Sequence, residues 1–355
     1  MAPLIVEHRD ASETDRKTDA RVMDDAFAAG LGRLSIPTAF NGEHASLMEI
    51  SEILVELAAY DASLSWQICV QAAMGRLSDY LSEDAAAEIY NGSKRFVIGA
   101  IHAGGTAVPD GATYRLNGHW TFASGSRHAD WLVCTAEVKD GSGETRMFFV
   151  PASQCDVLDT WDTLGMRGTG SNDFSATNLT VRKELSVNSA LLQLSPENRN
   201  SRGYHTGYYD FGTIAAMSTV FGIALASVET FQRNRKIGQD ERVNGVIDEK
   251  IGRVIASLYS ARLMLTDAVA QAMSPSDGTQ IGTHPRVAMA ATALTDKAVS
   301  AVNEVFALAG ASGIYKRNFL ERCFRDIHTG SKHFTLSPLQ FQRFGAAYLS
   351  QDQSL

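Results

Sequence analysis

Two stretches gather the side chains suited to chemistry: residues 117–131, NGHWTFASGSRHADW, and residues 161–174, WDTLGMRGTGSNDF. In the first, Ser124 closes a strand, where its hydroxyl can donate to a ring nitrogen while Trp120 or Phe122 packs on the ring face. In the second, GMRGTGS offers bare backbone N–H groups, the Thr169 and Ser171 hydroxyls and Arg167, a set that suits a phosphate or the edge of a flat polar ligand. A tight β-turn explains either stretch equally well. No helix follows GMRGTGS, so it is not a dinucleotide fingerprint, and it lacks the GxxxxGK[ST] pattern of a phosphate loop. Ser124 lies in no GxSxG elbow, which argues against a hydrolase triad.

Nine histidines are present, and none falls in an HExxH or other compact metal spacing, so no metal is expected. His8, His44, His119, His128, His205 and His284 read as surface or packing residues. His102, near a strand end, and His333 are the two with a functional reading. His333 follows VFALAGASGIYKRNFLERCFRDIHTGSKH, in which Gly310, Ser312 and Gly313 interrupt a helix before Leu320, Cys323 and Ile327 resume it. That run is either a helix–loop–helix corner or a ligand contact followed by an arm that delivers His333 to a pocket.

The elements that must position these residues follow from periodicity. Apolar residues recur at helical spacing over 19–31, 47–60 and 63–81, the second with Glu49, Glu52 and Glu56 on a solvated face. The pattern then changes: FVIGAIH, TYRLNGHWTF, DWLVCTAEV, TRMFFVP and DFSATNLTV read as five short strands, with Asn117-Gly118 expected as a hairpin turn. A polar connection over 186–202 leads to helices expected at 211–236, 245–273, 285–308 and 319–327, broken at SPSDGTQIGTHP and AGASG. The chain therefore divides into a helical domain (1–95), a β domain (96–185) and a four-helix bundle (186–355), an α+β fold that is mostly α.

Composition sets the remaining bounds. With 355 residues, 45% hydrophobic, the chain has ample core, and its net charge of −8 without basic runs argues against nucleic acid or an anionic membrane as partner. Four dispersed cysteines, without a CxxC pair, fit a reducing cytoplasm, and the early charges of MAPLIVEHRDASETDRK do not form a signal peptide. FGTIAAMSTVFGIALASV approaches membrane-spanning length, but its small residues and its continuation into a charged segment favour a buried bundle helix or subunit interface.

Taken together, the helix–sheet–helix order, NGHWTFASG and AGASGIY…LERCFRDI resemble the acyl-CoA dehydrogenase superfamily. FASGSRHADW, WDTLGMRGTGSNDF and RDIHTGSKH resemble, more narrowly, the two-component (group D) flavin-dependent monooxygenases within it. The resemblance implies an acyl-CoA dehydrogenase-like fold and a homotetramer. It also implies reduced FMN or FAD supplied by a separate NAD(P)H-flavin reductase, O₂ as cosubstrate, a C4a-hydroperoxide on the flavin, and a small, aromatic organic substrate. It carries Ser124 to the neighbourhood of flavin N5, with Trp120, Phe122 and Ala123 along the same strand. Trp161, Arg167, Thr169 and Ser171 then match the flavin loop, Arg235 matches an arginine reaching a neighbouring subunit's flavin phosphates, and Gly310 and Ser312 match a C-terminal contact turn. His333 and Ser124 are the expected catalytic residues, with His102 placing substrate. The dehydrogenases' catalytic carboxylate has no match after RDIHTGSKHFTLSP, so a dehydrogenase with an atypical base is the alternative, and a catalytically silent scaffold the third reading.

Overall fold

The computed structural model describes residues 1–193, 206–235, 241–274 and 284–350. Five helices come first: α1 (Ala2–Thr14), α2 (Ala20–Ala28), α3 (Leu47–Tyr60), α4 (Ala62–Gly75) and α5 (Glu83–Gly92). Ser46 starts α3 with a capping box: its hydroxyl accepts the Glu49 amide, and the Glu49 carboxylate accepts the Ser46 amide. Asp61 ends α3 and starts α4, its carboxylate accepting the Leu64 amide. Because α4 is buried on every face, its polar side chains must find partners inside the protein. Gln71 does so by accepting the Val97 amide at 2.8 Å, which fastens the helix to the first strand. Helix α1 has too little apolar periodicity to be read from sequence, and the helix expected over 63–81 ends at Gly75 and continues as a 3-10 turn, Arg76–Tyr80.

The sheet is built from β1 (Phe96–Asp110), β2 (Thr113–Ala123), β3 (Ala129–Val138), β4 (Thr145–Pro151), β5 (Asp156–Leu158), β6 (Asn172–Arg182) and β7 (Ser186–Asn188). The strand order is β5-β6-β2-β1-β3-β4-β7, with β1 and β3 parallel and the other neighbours antiparallel. Asn117-Gly118 is not the hairpin turn expected. Both residues lie inside β2, and the chain reverses instead beside Gly111, at φ +59°. The glycine serves packing: a Cβ at Gly105 or Gly118 would come within 2.5 Å of the Trp120 indole, whose Nε1 donates to the Thr135 carbonyl and whose ring stacks on Phe174. The β1–β2 ladder runs from Asp110↔Thr113 to Gly105↔Gly118, and both strands continue beyond its last pair.

The remaining helices are α6 (Tyr208–Asn234), α7 (Glu241–Met273), α8 (Pro285–Ala309), α9 (Phe319–Gly330) and α10 (Leu339–Leu349), the last not foreseen from sequence. Part of the expected 186–202 connection and most of the SPSDGTQIGTHP break lie outside the described residues. Helix α6 is long and apolar enough to cross a membrane, yet 83% of its most apolar window is buried within the protein. Its small residues explain how. A Cβ at Gly222 would meet the Val55 carbonyl at 2.4 Å, and the hydroxyl pairs Ser51–Ser218 (2.8 Å) and Ser65–Thr219 (2.9 Å) join α6 to α3 and α4. Close backbone contact and paired hydroxyls thus replace large side chains at this interface.

Candidate active site

Where β1 and β2 part, a cavity of about 550 Å³ opens between Gly99–His102 of β1, Thr121–Ser124 at the end of β2, α4, α6 and the segment after α9. A β-bulge aims the β2 end into it. Trp120 pairs with Phe174 and Ala123 with Asn172, leaving two residues of β2, Thr121 and Phe122, opposite one of β6. Phe122 accommodates the extra residue at φ +64°, and its ring stays 62% exposed at the cavity, edge-on to Trp161. A large apolar residue held at positive φ with an exposed ring is costly backbone geometry, of the kind found where a chain is shaped around a ligand.

Behind the bulge a chain of hydroxyls runs inward. Ser124 Oγ lies 2.7 Å from Ser171 Oγ, Ser171 Oγ lies 2.7 Å from Thr169 Oγ1, and Thr169 Oγ1 donates to the Met166 carbonyl at 2.7 Å. All three hydroxyl residues are buried and line the cavity. The loop that carries them is held on two sides. The Met166 amide donates to Asp326 and the Gly165 amide to Thr329, both on α9, whereas the Gly168 carbonyl accepts from Thr18 and Gln67 on the opposite side. Gly125 N donates to the Thr169 carbonyl at 2.8 Å, locking the loop to the strand end. A Cβ at Gly165 would stand 2.3 Å from the Arg325 carbonyl, so only glycine lets loop and helix meet.

His333 also lines the cavity. Its Nδ1 lies 2.9 Å from Thr335 Oγ1, and its ring packs edge-on to Trp66 at 5.3 Å and against Phe334 at 4.7 Å. Burial first, and His102 second, push its pKa down to about 4, so the imidazole is neutral at physiological pH. His102 is exposed on β1, with its ring 5.6 Å from Phe334.

Of the residues singled out from sequence, Ser124, His333, His102, Phe122, Trp161, Thr169 and Ser171 line one cavity. The others stand elsewhere in this chain. Trp120 and Ala123 are core residues of the sheet. Arg167 pairs with Asp162, Arg235 with Asp248, and Ser312 donates to the Ala309 carbonyl beside Gly310. Sequence reading missed Asp326, the Met166 carbonyl, Thr335 and His328, which contributes to the wall while its Nε2–H meets Asn303. Only RDIHTGSKH hinted at these contacts, by placing polar groups at the end of an amphipathic helix. Among the described residues lining the cavity there is no Asp or Glu.

The comparisons with known proteins agree with this geometry. Residues 215–338 match the model of the acyl-CoA dehydrogenase C-terminal domain. A pigment production hydroxylase of Rhodococcus sp. is 26% identical over 94% of this chain and 90% of its own length, and an indole-3-acetate monooxygenase of Pseudomonas putida is 24% identical over 96% and 90%. The structure of XiaF from Streptomyces sp., in complex with FADH₂ and glycerol, superposes with a TM-score of 0.87 at 21% identity, covering 98% of this chain and 93% of that one. Fold and cavity together define the class: an oxidoreductase of the acyl-CoA dehydrogenase fold. Within that class, the relatives that match along nearly the whole chain are named as a hydroxylase and a monooxygenase.

The cavity fits a flavin ring. Its volume is that of a cofactor site, its walls are mainly apolar, and its buried hydroxyls converge at one edge, as a ring with polar atoms along one side requires. The phosphate end is less complete within one chain, since Arg167 and Arg235 are each engaged by a carboxylate.

Proposed function

We propose that reduced flavin lies against the bulge of β2 with its N5 edge at Ser124, and that a small aromatic substrate occupies the cavity between the flavin and His333. The observation that carries this reading is the hydroxyl chain ending at Ser124 in a mainly apolar cavity whose wall also holds a neutral histidine. Reduced flavin, when bound, would supply the two electrons needed to place one atom of O₂ in the substrate and release the other as water. The chain's own residues supply place and dryness. Ser124 and Ser171 orient the ring, Phe122 and Trp161 cover it, and Trp66 and Phe334 exclude water around His333. His333, kept neutral, can both donate and accept a proton at a reacting oxygen without bringing a buried charge. His102, at the mouth, positions substrate.

The absence of carboxylates among the described residues lining the cavity disfavours proton abstraction from a thioester, the chemistry of the dehydrogenase alternative. In this reading a separate NAD(P)H-flavin reductase delivers the flavin, and the chain works as a cytoplasmic homotetramer of three-domain subunits (1–95, 96–185, 186–355). All four cysteines are free, in keeping with a reducing compartment. The remaining cofactor residues, Trp120, Ala123, Arg167, Arg235, Gly310 and Ser312, are assigned as supports of the flavin site, with Arg235 turned to a neighbouring subunit on assembly.

The test is a reaction with a generic flavin reductase, NADH, FMN or FAD, and a panel of phenols, indoles and fused aromatics under isotopically labelled O₂. The expected result is a product heavier by one labelled oxygen atom. If every compound leaves only hydrogen peroxide while a thioester bleaches bound oxidised flavin, the oxygenase reading is wrong.

A further inference from the structure

The three hydroxyl contacts leave no freedom in their protons. Each hydroxyl carries one hydrogen, and the chain contains three short contacts: Thr169 to the Met166 carbonyl, Ser171 to Thr169, and Ser124 to Ser171, each 2.7 Å. The Met166 carbonyl can only accept, so Thr169 must donate to it. Ser171 must then donate to Thr169, and Ser124 to Ser171. Any other assignment leaves two oxygens at 2.7 Å with no proton between them. The Met166 carbonyl is itself held firmly, because it also accepts from Trp161 Nε1 at 3.0 Å while the Met166 amide is tied to Asp326. Ser124 therefore turns only lone pairs toward the cavity.

We propose that this chain makes Thr169 and Ser171 positioning residues that fix Ser124 as an acceptor, so that the site selects reduced over oxidised flavin. The proposal rests on the reading above that the N5 edge meets Ser124. The chemistry is a matter of one proton. N5 of reduced flavin bears a hydrogen and can donate to Ser124, whereas N5 of oxidised flavin has only a lone pair, which would face another lone pair. A serine free to rotate would serve both forms, by accepting from one and donating to the other. The chain removes that freedom, and it favours departure of the oxidised cofactor once turnover is complete.

The experiment measures dissociation constants of FMN and FAD, oxidised in air and reduced under anaerobic conditions, for the full-length protein and four variants. In Ser171→Ala the Ser124 proton is released toward the cavity, and the ratio of oxidised to reduced dissociation constants should fall about tenfold, as one hydrogen bond gained by the oxidised form allows. Thr169→Val frees the Ser171 proton to turn outward and should lower the ratio in the same direction, whereas Thr169→Ser, which keeps the chain, should preserve it. Parallel weakening of both flavin forms in Ser171→Ala, with the ratio unchanged, overturns the proposal. If Ser124→Ala alone moves the ratio, the contact at Ser124 stands and the role of the chain behind it falls. If Ser124→Ala also leaves the ratio unchanged, the placement of N5 at Ser124 is wrong, and the proposal falls with it.

Discussion

The carboxylate of Asp326 accepts the Met166 amide at 2.5 Å, joining α9 to the loop that carries Thr169 and Ser171 across 160 residues of sequence. Asp326 is buried, and its pKa is raised to about 7, chiefly by burial and further by Asp61, against the opposing effects of the Met166 amide, Arg322 and Arg325. The sign of the pH effect follows. The folded protein keeps a proton that the unfolded chain releases near the ordinary aspartate value of 3.8, so this group's contribution to stability is full below that value and is lost as pH rises toward about 7. Across that window the loss is at most about 1.4 kcal/mol per pH unit. Asp326→Asn, which cannot ionise, should gain stability relative to the parent as pH rises from 5 to 8 in urea unfolding. Parallel curves for the two proteins would show that Asp326 does not titrate there.

His333 carries the opposite sign. Its pKa is pushed down to about 4 from the ordinary histidine value of 6.5, so its contribution is present above 6.5 and lost as pH falls toward 4. Its ring resonances should titrate with a midpoint near 4 in a selectively labelled sample. His333→Gln should flatten the acid limb of the stability profile over that range, and a midpoint near 6.5 would mean that the ring is hydrated.

In turnover, His333→Ala should shift reducing equivalents from product to hydrogen peroxide by about tenfold, a conservative figure for loss of a positioned proton donor. Flavin affinity should change little, because the ring packs on Trp66 and Phe334 rather than joining the Ser124 chain. Coupling is read from product and peroxide formed per NADH consumed. Unchanged coupling would remove His333 from the chemistry.

Much of the fold could be read from the sequence because its signals are local. Periodicity located α3, α6 and α8 and the five longer strands, and the gathering of hydroxyls in WTFASGS and GMRGTGS marked residues that meet in one cavity. Asn117-Gly118 misled because the same dipeptide satisfies two demands. It permits a turn, but here Gly118 makes room for an indole two residues further along. The Asp326–Met166 contact had no local signal at all, since a carboxylate in RDIH reads as helix surface until the partner loop is packed on it. Arg167 reads as an anion ligand from its glycine-rich loop and Arg235 by resemblance alone, and no local pattern announces the ion pairs they make with Asp162 and Asp248.

Gly165 should tolerate no side chain. Its missing Cβ faces the Arg325 carbonyl at 2.3 Å and the Asp326 amide nitrogen at 2.7 Å, all backbone atoms that cannot step aside singly. Gly165→Ala should cost roughly 1–3 kcal/mol by forced displacement of the loop from α9, and flavin affinity should fall with it, since the loop holds Thr169 and Ser171. Thermal unfolding and flavin titration check both. An unchanged melting temperature would show that loop and helix part readily.

The last prediction concerns assembly. On α7, Ile255, Tyr259 and Leu263 repeat at a spacing of four and are 52%, 66% and 54% exposed, while Val254, Leu258 and Leu265 on the other side of the helix are buried. An apolar stripe of this kind on a helix already packed along its inner face is the form a subunit contact takes. Tyr259→Asp would place a charge at the middle of that contact, where desolvating it without a partner is strongly unfavourable. The mass measured by light scattering should fall to half or less of the parent value, while far-ultraviolet circular dichroism stays unchanged because Tyr259 does not touch the chain's own core. Arg235 gives a second readout: if it serves a neighbouring subunit's flavin, dissociation should weaken binding of FMN and FAD together, leaving their oxidised-to-reduced ratio, set within one chain by Ser124, as it was. An undiminished mass for Tyr259→Asp would exclude this face of α7 from the interface.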